Sequence, residues 1–242
     1  MDNILSVDDI SISFGGIKAV SHVNFSVRRG EIVGLIGPNG SGKSTCVNLI
    51  SGVYKLDTGH VTFDGKKLTE NDTTADRARY GMGRTFQSPK PFGNLTVFDN
   101  IYTIALQTNS RHHATEKTLD ILERAKLTSF KDMNSLKLPI EKRKWLDLAR
   151  ILANDPKLIM MDEVMAGLNP SEMDESLELI SEINRGGISV LFIEHVMKAV
   201  LKVCSRVVVL NEGKFLCEGD PNEILRRKDV VEAYLGGGYV HA

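Results

Sequence analysis

The stretch Gly37, Pro38, Asn39, Gly40, Ser41, Gly42, Lys43, Ser44, Thr45 follows the spacing G-x-x-x-x-G-K-[ST]. That spacing carries chemistry when it joins a strand to a helix. Here "EIVGLIG" before it is a short apolar run suited to a buried parallel strand. "SGKSTCVNLISG" reads as a helix with a glycine stop at Gly52. In this setting the glycines let backbone N–H groups turn inward around a polyphosphate, and the helix N-terminus adds partial positive charge. Lys43 is expected at the β- and γ-phosphates, and Ser44 at Mg2+. The rival reading, a glycine-rich turn with a stray lysine, leaves the strand-to-helix context unexplained.

A bound nucleotide needs carboxylates nearby. "LIMMDE" supplies them at the end of a buried strand: Asp162 to hold Mg2+ through water, and Glu163 to orient or deprotonate an attacking water. The rival reading is a pair of surface acids. His195 closes the strand "VLFIEH", at the edge where open α/β sheets collect their ligand chemistry, and reads as a γ-phosphate sensor or a structural histidine. Gln87 ends the apparent strand "GRTFQ" and is a candidate contact to Mg2+ or the attacking water.

These groups need a sheet to position them. "ILSVDDISISF" and "VNFSVRRG" alternate with period two, as half-buried strands do. "HVTFDGKKL" is a strand with an Asp-Gly turn. From about 100 to 152 the pattern becomes helical, with "EKTLDILERAKL" amphipathic. "KLIMMDE", "ISVLFIEH" and "SRVVVLNEGKFLCEG" return to strands, and the tail reads as short helices before a glycine run. Strands alternating with helices predict a parallel α/β sheet, in one domain over 1–242. Its core spans about 1–87 and 153–242, with a helical insertion over about 88–152.

The 242 residues carry a net charge of −1, so any anion site must be local. Cys46, Cys204 and Cys217 have neither paired nor metal-ligand spacing and read as reduced thiols. No apolar run reaches membrane-spanning length, so a membrane role must come through a partner.

The order "GPNGSGKST", "RTFQ", "LIMMDE", "AGLNP", "FIEH" resembles the ATP-binding cassette (ABC) proteins across essentially the whole chain. "SFGGIKAV", "RTFQSPKPFGNLTVFDNI", "AGLNPSE", "FIEHVM" and "VVEAYLG" resemble the branched-chain amino acid transport ATPases in particular. The resemblance implies a P-loop NTPase core with an antiparallel β subdomain and a helical subdomain. It implies Mg2+-dependent ATPase activity in head-to-tail dimers that sandwich each ATP. Phe14 would stack on adenine, or else be a core aromatic on its strand. Asn169 would face the other subunit. Val164 stands where the family usually has proline.

One segment departs from the family. Its signature, L-S-G-G-Q or a near relative, opens a helix that meets the γ-phosphate held by the other subunit. Aligned on "LARIL", this chain reads Leu138, Pro139, Ile140, Glu141, Lys142. The serine hydroxyl is lost at Pro139, and Glu141 adds bulk and charge where glycine lets backbone approach phosphate. For the helix itself both residues are favourable. Lys142 or Arg143 could substitute as phosphate ligands. Otherwise the chain is half of a heterodimer with a second, intact cassette.

The leading expectation is therefore the ATPase subunit of an amino acid importer, peripheral on the cytoplasmic membrane face. Its permease would dock near Gln87, along Pro89, Pro91, Phe92 and Leu95. No nucleic acid partner is expected. Rival readings are a lipopolysaccharide-export ATPase or a soluble cassette in translation or DNA repair; the latter usually carry two cassettes or a coiled-coil insert. A GTPase or P-loop kinase leaves "RTFQ" and "FIEH" unexplained, and no N-K-x-D is present. A non-hydrolysing regulatory cassette is opposed by Glu163 and His195.

Overall fold

The computed structural model describes residues 2–86 and 88–235. The chain opens with β1 (Asn3–Phe14) and β2 (Ile17–Arg28), joined at Gly15 and Gly16. Both glycines have left-handed φ, 54° and 84°, as a tight hairpin requires. β3 (Ile32–Ile36) then runs into the P-loop and α1 (Lys43–Ile50). β4 (Thr58–Phe63), β5 (Lys66–Lys67), α2 (Thr74–Arg79) and β6 (Met82–Arg84) follow. The helical stretch holds α3 (Val97–Ala105), α4 (Arg111–Arg124) and α5 (Ile140–Leu152). The chain then alternates through β7 (Leu158–Asp162), α6 (Pro170–Arg185), β8 (Ser189–Ile193) and α7 (Met197–Val203). It closes with β9 (Arg206–Asn211), β10 (Lys214–Gly219), α8 (Pro221–Ile224) and α9 (Lys228–Leu235).

Two sheets result. β2-β1-β4-β5 is antiparallel, and β10-β9-β3-β8-β7-β6 is parallel except at the β9–β10 hairpin. The parallel strands are apolar on both faces because both are covered. Ile32, Ile36, Ile159, Met161, Val190, Phe192, Val207 and Val209 share one core with α3 to α7. Their neighbours Val33, Leu35, Leu158, Met160, Leu191, Ile193, Val208 and Leu210 share the other with α1 and the antiparallel sheet. The two-residue strand period thus sorts side chains between two cores. Burying one side chain such as Phe192 stabilises by about 1.5–3 kcal/mol.

The helix behind the P-loop is fixed at its C-terminal end. Its last carbonyls have no partners within the helix. The buried Arg77 guanidinium supplies them, donating to Leu49 O at 2.9 Å and Ile50 O at 2.6 Å. Arg77 is itself held by a capping box at the start of α2, between Thr73 and Asp76. α5 presents Trp145, Leu146, Leu148, Ala149 and Leu152 to the core, and the Trp145 indole N–H donates to Ser176 on α6 at 3.0 Å.

Candidate functional site

The P-loop turns at glycines that no other residue fits. Gly37 has φ 148°, and a Cβ there would lie 2.1 Å from Leu210 O. Gly42 has φ 98°, and its Cβ would lie 2.7 Å from Ala19 O. Lys43 is buried at the start of α1 and donates to Gly37 O at 2.8 Å and Pro38 O at 3.0 Å. Burial lowers its pKa, which Glu163 and Asp162 oppose by raising it. The side chains of Asn39 and Ser44 are exposed, Thr45 is half-buried, and Ser41 is buried. A pocket of about 480 Å³ opens over Asn39–Thr45, and Glu163 forms part of its wall. The cradle and its lysine suit a polyphosphate, and Ser44 and Glu163 line the same pocket.

Asp162 ends β7 and Glu163 leaves it with φ 50°, a left-handed conformation costly for a residue with a side chain. The Glu163 N–H donates to Ile193 O at 2.9 Å, tying it to the end of β8. Asp162 is buried; its N–H donates to Thr85 Oγ1 at 3.2 Å, and Arg84 reaches its carboxylate at 3.4 Å. Burial raises the Asp162 pKa, against the pull of Arg84. The Asp162 carboxylate acts electrostatically on Lys43, the residue before Ser44, and carboxylate and hydroxyl oxygens are the donor types that a hard divalent cation takes.

His195 does not close a strand: β8 stops at Ile193, and His195 is exposed in the bend before α7. It still leaves the same sheet edge as Glu163. Gln87 lies outside the described residues. Phe14 is no core aromatic. It ends β1 at 45% exposure with Tyr54 edge-on, ring centroids 5.3 Å apart. Asn169 caps α6, its side chain accepting from Glu172 N at 3.0 Å. Val164 is half-buried against the helical core.

The start of α5 differs from the sequence expectation. Glu141 does not project its charge outward: it is buried and paired with Lys142 at 3.2 Å. Lys142 in turn lies over the Trp145 ring, 3.4 Å from its centroid. Arg143 donates to Leu138 O at 2.8 Å and Leu136 O at 2.6 Å. Both cations that could replace the signature donors are thus engaged. Pro139 caps the helix without a side-chain bond, and Ile140 stands 54% exposed beside it.

Beside β6 a cleft of about 490 Å³ separates α2 from α3 and α5; Phe86, Lys90, Ile104 and Arg150 are among its walls. Phe86 is exposed. The segment behind it is fixed by Asn100, whose side chain bonds Phe92 N at 2.7 Å and Phe92 O at 3.2 Å. Arg150 lies 4.2 Å from the Phe92 ring centroid. Pro89, Pro91 and Leu95 are half-buried.

Three residues around the site were not singled out by sequence. Arg84 joins Asp162 to α1 through Asn48 Oδ1 at 2.7 Å and Ser51 Oγ at 3.0 Å. Lys144 and Glu194 both bond the backbone after Glu163. The usable signal was a charge inside an apolar strand or on the inner face of a helix, where only a paired group is tolerated.

The family model for ABC transporters matches residues 20–166. The "Probable branched-chain amino acid transport ATP-binding protein LivG" of Archaeoglobus fulgidus is 37% identical over 246 residues, covering 96% of this chain and 95% of that protein. The high-affinity branched-chain amino acid transport ATP-binding protein LivG of Escherichia coli is 36% identical, covering 96% and 98%. Among solved structures, the ADP conformation of an ATP-binding cassette of an ABC transporter superimposes with a TM-score of 0.88. It is 33% identical, over 98% of this chain and 100% of that one. A P-loop, the carboxylates at the end of β7 and the two-sheet architecture thus come with matching relatives over nearly the full length. This chain belongs to the ABC transporter family, as one of its ATP-hydrolysing cassettes.

Proposed function

We propose that this chain powers a membrane importer for branched-chain or related amino acids from the cytoplasmic face. The observation that carries the reading is the single pocket in which Lys43, Ser44 and Glu163 converge. Gly37 to Thr45 cradle the ATP phosphates, Lys43 neutralises them, and Phe14 stacks on the adenine. Ser44 and Asp162 would hold Mg2+, which would supply positive charge to the phosphates when bound. Glu163 takes the proton of the attacking water, His195 senses the γ-phosphate, and Gln87 completes the metal and water contacts. The substrate class rests on relatives named for branched-chain amino acid transport. Among the described residues no helix is long and apolar enough to cross a membrane, so the transport path belongs to permease subunits. The cleft at Phe86 and the segment to Leu95 is their docking place.

The partner cassette is a different chain. Each ATP is sandwiched between one chain's P-loop and the other's signature helix. This chain's P-loop half is whole, while its α5 start offers Pro139 and exposed Ile140 in place of donors, with Lys142 and Arg143 engaged elsewhere. An intact partner signature completes the site on this chain's P-loop, and the opposite site turns over slowly. Deleting the gene tests the whole reading: loss of branched-chain amino acid uptake supports it, and unchanged uptake overturns it. Crosslinks from residues 86–95 are expected to reach a permease; crosslinks confined to this chain would count against the docking place.

A further inference from the structure

Four consecutive residues after β7 each have one backbone group bonded to a neighbouring element. Glu163 N–H donates to Ile193 O at 2.9 Å, and Met165 N–H donates to Glu194 Oε1 at 2.8 Å. From the other side, Lys144 Nζ donates to Val164 O at 2.9 Å and Ala166 O at 2.5 Å. Among the described residues, the loop's own backbone bonds are long: Ala166 N to Glu163 O and Leu168 N to Met165 O, each 3.3 Å. Two side chains, Glu194 and Lys144, therefore brace the loop from outside.

Both side chains sit where charge is expensive. Glu194 is 0% exposed, and its Oε2 has no hydrogen-bond partner. A buried oxygen without a partner costs about 1–3 kcal/mol, so a packing role alone would be served better by an apolar residue. Burial raises the Glu194 pKa and lowers that of Lys144, whose charge Glu194 and Glu172 favour. Glu163 is held at φ 50° at the head of this loop, a strained conformation that persists only where its surroundings enforce it.

We infer that Glu194 and Lys144 are positioning residues that clamp residues 163–166 between the end of β8 and α5, and so aim the Glu163 carboxylate at the γ-phosphate side of the pocket. Neither touches the reacting atoms. Because Lys144 lies one helical turn beyond Ile140, a shift of α5 moves the loop that carries Glu163. The start of α5 that serves the opposite nucleotide is thereby linked to this chain's own carboxylate. The inference rests on Glu163 being the base, and its test separates the two.

The experiment compares the full chain with Glu194→Leu, Glu194→Gln, Lys144→Met, Lys144→Arg and Glu163→Gln, each mixed with a second cassette that carries an intact signature. Three quantities are read: ATP affinity, single-turnover hydrolysis with protein in excess over ATP, and hydrogen exchange at the Met165 amide. Glu194→Leu and Lys144→Met are expected to keep ATP affinity within about threefold and slow hydrolysis roughly 10- to 100-fold, as a misplaced group does. Met165 exchange should quicken at least about tenfold in Glu194→Leu, where its acceptor is gone. Glu194→Gln keeps the acceptor and Lys144→Arg keeps donors, so both should restore hydrolysis. Lys144→Met retains the apolar stem and carries the test if Glu194→Leu does not fold. Wild-type hydrolysis in Lys144→Met and Glu194→Leu, with Glu163→Gln inactive, would overturn the inference and leave the base intact. Wild-type hydrolysis in Glu163→Gln would instead remove the base itself.

Discussion

The Lys43 ammonium donates to the carbonyl oxygen of Gly37, 2.8 Å away, so the one basic residue of the P-loop grips its first glycine. A phosphate oxygen is a stronger, charged acceptor than that carbonyl, and exchanging one for the other is the expected route by which Lys43 would favour nucleotide. Lys43→Ala removes the cation and is expected to weaken Mg-ATP binding by at least about 10-fold and up to about 100-fold, since a hydrogen bond to a charged group contributes about 1.5–3 kcal/mol. Titration calorimetry checks this, and unchanged affinity would contradict the cradle.

Glu163→Gln keeps the shape and polarity of the side chain but removes the proton acceptor. Turnover should fall by about 10²–10⁴-fold, while ATP affinity stays within a few-fold. A phosphate-release assay alongside binding separates the two effects.

Phe14 offers its exposed ring while Tyr54 supports it edge-on. Phe14→Ala should weaken ATP binding by about 1–3 kcal/mol, the range for a base on an aromatic ring, and leave inorganic tripolyphosphate binding unchanged. Equal losses for both ligands would mean the substitution disturbs the P-loop and not adenine recognition.

Arg206 grips Glu31 with two bonds, Nε to Oε1 at 2.9 Å and Nη2 to Oε2 at 3.0 Å. Burial pushes the Glu31 carboxyl up, but the Arg206 and Arg28 hydrogen bonds outweigh it, and the carboxyl lies below its ordinary value of 4.5. A depressed folded-state value means stability that is present above the unfolded value and lost as pH falls through the folded one. Glu31→Gln should cost about 2 kcal/mol at neutral pH and flatten the melting temperature's decline between about pH 5 and pH 3. Melting curves across that range for both proteins check it.

Much of this was legible because it depends on local pattern. The strand-to-helix setting of Gly37–Thr45 and the apolar run ending in Asp162 fix a P-loop and an opposing carboxylate without any knowledge of distant contacts. The helical character of about 100–152 followed from periodicity, and the first helix begins slightly earlier, at Val97. What sequence could not supply depends on side-chain placement and on residues brought together from afar. Glu141 is paired by its neighbour Lys142, whose ammonium lies over the Trp145 ring, and spacing alone leaves that carboxylate pointing anywhere. Arg84 and Glu194 read as ordinary charges until β6, β7 and β8 align. His195 falls two residues past its strand, within the usual imprecision of strand ends.

The central claim is that this chain supplies a working P-loop half-site and an inactive signature. The most direct test is steady-state ATP hydrolysis by the purified chain alone, and then mixed with a second cassette whose helix opens with an intact L-S-G-G-Q-type sequence. The account predicts slow, poorly cooperative hydrolysis alone and at least a roughly tenfold rise on mixing, since loss of oxyanion-type donors costs about 10²–10³-fold. The rise should vanish when this chain carries Glu163→Gln. Full cooperative hydrolysis by this chain alone would contradict the account.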